Sequence, residues 1–591
     1  MPETLADEVR APIEAAIAAL QTGSRTWSAL TVGQRVTLLR GVRRTVAASA
    51  RDWVRAAVRS KQLADDHALR GEEWLSGPYA TLGAVDAYIE TLDRIADGRN
   101  PLDGIRVDRT TSGQTRVHSF PLLGIDKVLL SGYTGEVWLT PGVTPGDARA
   151  RAGLAQRRPL VRPTAEPAEG RETATGGIGL VLGAGNVTSI PVLDVLYELL
   201  AFDRVVLLKV NPTQDSLVPV YEKALAPLIA PGFLRIVRGG SDVGAHLTGH
   251  DAFAHVHVTG SSATFDAIVW GPSAGAGSDQ TKRRKRENRP RLKKPITAEL
   301  GGVSPVIVVP GEWSPQDLRF QAEHVATMRL QNAGHNCLAG QVVILSSDWA
   351  QRDQFLIELR RAYAIAPERP IWYPHSSDRM AQASRDYPDA LVLADRLLVE
   401  IREGDDATAL ETTEYFAPVL GVEQLPGLGQ EFLDAAVAHA NERLEGTLAA
   451  NVLIDPTTET LLGGGFERAI TALRYGSIAI NTWTAFGFVT PTVTWGAFPG
   501  NTIDDVGSGI GVVHNGLLLA DVERSVLRGP FRPFPRSASI VRDGGRFTIL
   551  PKPPWFVSSR TAAEVSEGLT RYRARGGVLA LLRTLVQAMR A

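Results

Sequence analysis

Apolar positions follow two periods along this chain. In the first hundred residues Leu39, Val42, Val46, Trp53 and Ala57 recur at helical steps, and Thr31 with Gln34 has the spacing of a capping box, so a helical scaffold is predicted. From about 113 to 167 the pattern breaks into short β-rich pieces at 115–123, 127–131 and 136–139, followed by an Arg-, Ala- and Pro-rich segment; a hairpin arm is expected there. Buried strands are then predicted at 178–182, 205–210, 233–237 and 255–259, separated by helical stretches such as 191–201 and 217–229. Strand-helix alternation of this kind builds a parallel, doubly wound sheet. A second series at 305–309, 341–345, 390–393, 449–454 and 477–481 predicts a second α/β unit.

Length agrees with two large units, since 591 residues exceed what one core normally organises. The expected division is a helical part at 1–112, a β-rich arm at 113–167, a Rossmann-like domain at 168–298, a second α/β domain at 299–490, a return segment at 491–530 and a C-terminal extension at 531–591. Lys and Arg number 63 against 64 Asp and Glu, so no overall field draws the chain to nucleic acid or acidic membranes. Glu3, Asp7, Glu8 and Glu14 occupy the place of a signal peptide's basic start, so a cytoplasmic protein is expected. The uncharged run 176–193 is interrupted by glycines, Asn186, Thr188, Ser189 and Pro191, and no transmembrane segment is predicted. One cysteine excludes an intrachain disulfide and a cysteine-built zinc site, and no metal site is predicted.

Open α/β sheets bind ligands at the carboxyl ends of their strands. Four clusters fall there: Gly183-Ala184-Gly185-Asn186, Gly239 to Gly244, Thr259-Gly260-Ser261, and Glu299-Leu300-Gly301-Gly302. Gly183-x-Gly185 begins like a dinucleotide fingerprint but has Thr188 at the third glycine position, so on this piece alone a tight strand-to-helix turn is the favoured reading. Cys337 lies in Asn332-Ala333-Gly334-His335-Asn336-Cys337-Leu338, in a loop between a helix at 321–330 and a strand at 341–345. By itself it is either a small buried hydrophobe or a nucleophile.

Ala298 to Pro305 followed by Gly334-His335-Asn336-Cys337 resembles the two signature regions of the aldehyde dehydrogenase superfamily. Other stretches resemble that family in the same order: 27–39, 179–191, 206–212, 256–261, Glu414 to Val419, and 477–481. The resemblance implies oxidation of an aldehyde to a carboxylic acid with NAD or NADP. Cys337 would be the nucleophile, Asn186 and the Cys337 N–H the oxyanion donors, and Glu299 the base that activates water against the thioester. It also implies a cofactor cradle of Lys209, Asn211, Gly240, Gly244, Thr259, Gly260, Ser261, Leu300, Glu414 and Phe416, and a homodimer or homotetramer joined through the arm. Relatives that pass the acyl group to coenzyme A typically lack the glutamate, so Glu299 favours hydrolysis.

Several positions depart from the family pattern. Lys209-Val210-Asn211-Pro212 has no acid to bind a ribose 2′-hydroxyl, which leaves NAD against NADP open; His335 stands where glutamine is usual and Ala417 where glycine is. The basic run 282–294 reads as a solvated loop, with phosphate or nucleic-acid binding as the sharper alternative; it lacks interleaved aromatics, and nucleic acid is not the expected partner. Trp483, Phe486 and Phe488 would border the substrate entrance, or would fill the core. The apolar, basic tail from 578 would lie on a membrane surface or on a partner subunit. Two further readings stay open: a coenzyme A-acylating or acyl-reducing relative, and a non-catalytic member with an assembly or nucleic-acid-binding role.

Overall fold

In chain order the strands are β1 (Val107–Arg109), β2 (Thr115–Phe120), β3 (Thr134–Leu139), β4 (Ile178–Leu182), β5 (Val205–Lys209), β6 (Leu234–Val237), β7 (His255–Gly260), β8 (Ile296–Leu300), β9 (Ser304–Val308) and β10 (Gly340–Ser346). They continue with β11 (Leu391–Leu393), β12 (Arg396–Glu400), β13 (Val419–Leu425), β14 (Ala449–Leu453), β15 (Ser477–Ile480), β16 (Trp495–Gly496), β17 (Gly509–Ile510), β18 (Val512–Val513) and β19 (Val522–Arg528). This computed structural model describes residues 5–157, 176–273, 277–538 and 546–590.

The alternating series assembles two large sheets. One has six strands in the order β17-β8-β7-β4-β5-β6, with β8 to β6 mutually parallel and β17 antiparallel on β8. The other has eleven, β1-β2-β3-β19-β15-β14-β9-β10-β13-β12-β11, parallel from β19 to β12. Strands covered by helices on both faces must be apolar at every position, and β5 and β9 are buried throughout. The helix Asp7–Ala29 packs on the six-stranded sheet through residues such as Trp27, and Val32–Ser60 packs on neighbouring helices, with Trp53 edge-on to Tyr221. The capping box of Thr31 and Gln34 opens Val32–Ser60.

The hairpin β2-β3 is antiparallel, and β3 continues onto β19, itself parallel to β15. The arm strands therefore close the larger sheet within one chain; residues 158–167 of the expected arm lie outside the described residues. Two expectations are corrected. Residues 127–131 are not a β piece: the helix Gly124–Leu129 takes most of them, with Leu130 N–H bonded to the Asp126 carbonyl at 2.9 Å, because no strand lies beside them to satisfy their backbone. The basic run is not a loop at its start: Ser278–Arg286 is helical, held by Arg283 to Glu287 at 2.8 Å and Lys285 to Asp266 at 2.5 Å. Among the described residues no helix is long and apolar enough to cross a membrane.

Candidate active site

The helix Pro315–Leu330, started by a capping box of Ser314 and Asp317, runs towards the Cys337 loop and stops at a kinked turn. Asn332, Ala333 and Gly334 all have positive φ (56°, 54° and 74°), costly for Ala333 on the order of 1–2 kcal/mol. At Gly334 only glycine fits, since a Cβ would lie 2.6 Å from the Ala417 carbonyl. The turn is held by its side chains. Asn332 donates from Nδ2 to the Asn186 and His335 carbonyls (3.1 and 3.0 Å), and its N–H donates to Glu72 Oε2 at 3.0 Å. Its Oδ1 accepts from Lys61 Nζ at 3.1 Å and Arg369 Nη2 at 3.2 Å.

Lys61, Glu72, Glu73 and Arg369 thus form a buried four-charge cluster behind the loop, with Lys61 to Glu73 at 2.9 Å, Arg369 to Glu73 at 3.1 Å, and Arg369 also paired with Glu72. Burial raises the Glu72 pKa to about 6. Burial acts the same way on Glu73, but Lys61 and Arg369 outweigh it and the pKa falls. Sequence reading missed this cluster, whose members run from residue 61 to residue 369 and share no motif.

At the carboxyl end of β8, Glu299 is buried and accepts a hydrogen bond from Trp495 Nε1 at 2.9 Å and another from the Cys337 thiol. Burial, aided by the charge of Asp194, raises its pKa to about 7 against the opposing effects of Trp495, the thiol and His257. Burial and then the Glu299 carboxylate push the Cys337 thiol well above its ordinary value, while its own backbone N–H pulls the other way. Beta register places Thr259 opposite Glu299, and Thr259 Oγ1 donates to Asp194 Oδ2 at 3.0 Å. Asp194 faces His257 at 3.6 Å and His514 at 3.7 Å; burial would lower the His257 pKa, but Asp194 reverses it and raises it. This buried acid-histidine group also escaped sequence reading.

Asn186 follows β4 and is buried; its Nδ2 donates to the His335 carbonyl at 2.9 Å. Asn186 and Cys337 lie where two cavities meet. The polar cavity is walled by Lys209, Asn211, Gly240, Gly244, Thr259, Gly260, Ser261, Glu299, Glu414 and Phe416, together with Arg291 from the basic run. The apolar cavity is walled by Trp483, Phe486 and Phe488. Leu300 alone of the expected cradle does not reach either wall: it is buried in β8, and its N–H donates to the Ser508 carbonyl at 2.9 Å. His335 is fully buried against Trp372, Tyr373 and Phe416, and burial holds its pKa well below the ordinary value, so it is a neutral packing group. Among the described residues Glu411, Glu423 and His439 group closely enough to hold a metal ion, but Arg443 bridges both Glu411 oxygens and His439 pairs with Glu423 at 2.7 Å.

Two features of the polar cavity fit a bound dinucleotide. Glu414 Oε1 is buried with no hydrogen-bond partner among the described residues, and a Cβ at Gly301 would collide with that carboxylate, so glycine keeps the space open. The helix Ser241–Gly249 starts at Gly240 without any side-chain cap, leaving its first N–H groups for an anion.

Residues 205–365 match the model of the aldehyde dehydrogenase family. Coniferyl aldehyde dehydrogenase of Pseudomonas sp. (strain HR199 / DSM 7063) is 34% identical over 154 residues, which are 25% of this chain and 27% of that protein. The chain thus aligns with about a quarter of that curated relative's length. Among solved structures, the NADP-dependent glyceraldehyde-3-phosphate dehydrogenase of Bacillus halodurans C-125 complexed with NADP superposes with a TM-score of 0.56 at 16% identity, covering 88% of this chain and 91% of its own. The aldehyde dehydrogenase KauB of Pseudomonas aeruginosa gives 0.53 at 17% identity over 88% and 89%. Residues 205–365 thus carry the sequence pattern of the aldehyde dehydrogenase family, and the chain shares the fold of these solved structures.

Proposed function

We propose that the protein oxidises an aldehyde to a carboxylic acid with NAD(P)+ through a thioester on Cys337. The observation that carries this reading is the meeting of an apolar and a polar cavity at Cys337 and Asn186, with the Glu299 carboxylate on the thiol. Because the thiol is held above its ordinary pKa and already donates to Glu299, attack on the aldehyde carbon is coupled to transfer of its proton to that carboxylate. The new oxyanion is met by the Asn186 amide and the Cys337 N–H, donors each worth about 3–4 kcal/mol of barrier. Bound NAD(P)+ would supply the two-electron acceptor that converts the adduct to a thioester. With a pKa of about 7, Glu299 returns its proton to solvent near neutrality and then takes one from the water that attacks the thioester carbon, expelling the Cys337 sulfur and releasing the acid.

Lys209 and Glu414 would hold the two riboses, and the free start of the Ser241–Gly249 helix the pyrophosphate. The lack of an acid in Lys209-Val210-Asn211-Pro212, with Arg291 on the same cavity wall, supports acceptance of a 2′-phosphate and hence of NADP. Reduced-nicotinamide formation with an aldehyde panel tests the reading. Turnover should be absent in Cys337→Ala, and coenzyme A should not be required; turnover surviving that substitution would overturn it.

A further inference from the structure

The apolar cavity does not end at the aromatic residues beside Cys337. Phe488 lies 6.0 Å from Trp495, the partner of Glu299, so its ring marks the reacting end. Phe486 lies 6.0 Å from Trp555, and Tyr133 contacts both rings, carrying the cavity into the C-terminal extension. There the helices Ala562–Arg575 and Val578–Ala588 pack against each other, so closely at Gly568 that a Cβ would collide with Thr584. They present Val565, Leu569, Leu585 and Ala588 to the cavity.

Three of the four charged groups on this wall are ion-paired, Glu90 with Arg94 at 2.7 Å and Asp86 with Arg573, while Asp126 lies in the field of Arg573. Arg573 lies over the Tyr79 ring at 4.6 Å, donates to its hydroxyl at 3.2 Å and faces Asp86 at 3.7 Å, while Asp86 is also bound by Arg43 at 2.6 Å. A substrate tail with its own charge would break these pairs without replacement. A single aromatic ring would stop among Phe486, Phe488 and Trp483 and leave the wall of the extension uncovered.

Resting on the aldehyde-oxidation reading, we propose that the substrate is a long-chain aliphatic aldehyde, its uncharged tail housed by the C-terminal extension. The extension is then a specificity element, with Leu569 and Ala588 on its wall of the cavity. Burial of a methylene is worth about 0.8 kcal/mol, or about fourfold in kcat/KM per added carbon, until the tail outgrows the cavity.

The test is kcat/KM for saturated aldehydes from propanal to hexadecanal, with cinnamaldehyde beside them, in the wild type, Leu569→Trp and Ala588→Trp. In parallel, quenching of tryptophan fluorescence by a brominated dodecanoate is read in the wild type and in Trp555→Phe. We expect kcat/KM to climb steeply through about decanal and to exceed that of cinnamaldehyde. The dodecanal-to-propanal ratio should fall at least tenfold in the tryptophan variants, and Trp555→Phe should lose part of the quenching. A profile flat beyond butanal, or cinnamaldehyde preferred, overturns the substrate class and leaves the oxidation reading standing. Quenching without turnover of any aldehyde supports the tail site and overturns oxidation; neither quenching nor turnover overturns both.

Discussion

Replacing Glu299 with Gln should stabilise the fold at alkaline pH while stopping catalysis. The amide keeps an oxygen to accept from Trp495 Nε1, so packing is preserved and the ionisable group is what is lost. Burial lifts the Glu299 pKa from 4.5 to about 7. A carboxyl with a raised folded-state pKa costs nothing below about pH 4.5, where it is protonated in both states. It then destabilises the native state progressively as pH rises to 7, because the folded chain holds the proton that the unfolded chain has released. Carried above pH 8, the full cost is about 3 kcal/mol. Urea unfolding of both proteins at pH 5 and pH 8 measures it as the change in their stability difference, which should move by about 2.5 kcal/mol in favour of Glu299→Gln between the two, since part of the cost is already present at pH 5. An unchanged difference, or one moving the other way, would refute the claim that Glu299 is strained by burial and poised as a base.

Three other predictions concern the surroundings of Cys337. Arg369→Met should leave Glu72 and Glu73 short of a cation and cost about 3–5 kcal/mol in denaturant unfolding, with kcat lowered at permissive temperature as the Asn332 turn loosens. Glu414→Gln should raise KM for the nicotinamide cofactor by about tenfold and flatten its pH dependence near 7, where the wild-type group titrates because of burial; initial rates across pH 6–8.5 check this. Arg291→Ala should raise KM for NADP more than for NAD; equal effects on both would remove Arg291 from 2′-phosphate recognition.

Much of the fold was legible because parallel strands covered on both faces are unbroken apolar runs: β4, β5 and β10 stand within a residue of the expected positions. β12 and β19 were not, since Arg396, Glu400, Glu523, Arg524 and Arg528 interrupt their apolar pattern. Arg396 is capped by the Tyr363 and Ala366 carbonyls, and Arg524, beside its neighbour Glu523, by the Ile470 and Leu473 carbonyls, distant contacts that local sequence does not show. Cys337, Glu299 and Asn186 stood out because each sits in a glycine-rich turn at a strand or helix end. The charge cluster behind Asn332 and the Asp194–His257 pair did not, because their members look like ordinary helix and strand residues until folding removes them from water.

The claim of a thioester on Cys337 is tested most directly by mass spectrometry of Glu299→Gln mixed with NAD(P)+ and an aldehyde. Glutamine can take neither the thiol proton nor one from water, so acylation becomes slow and hydrolysis stops, and the thioester accumulates over a long incubation. The account predicts one acyl group per chain, on the peptide carrying Cys337, with a matching single burst of reduced cofactor. An unmodified Cys337 after such a burst, or an acyl group on another residue, would contradict it.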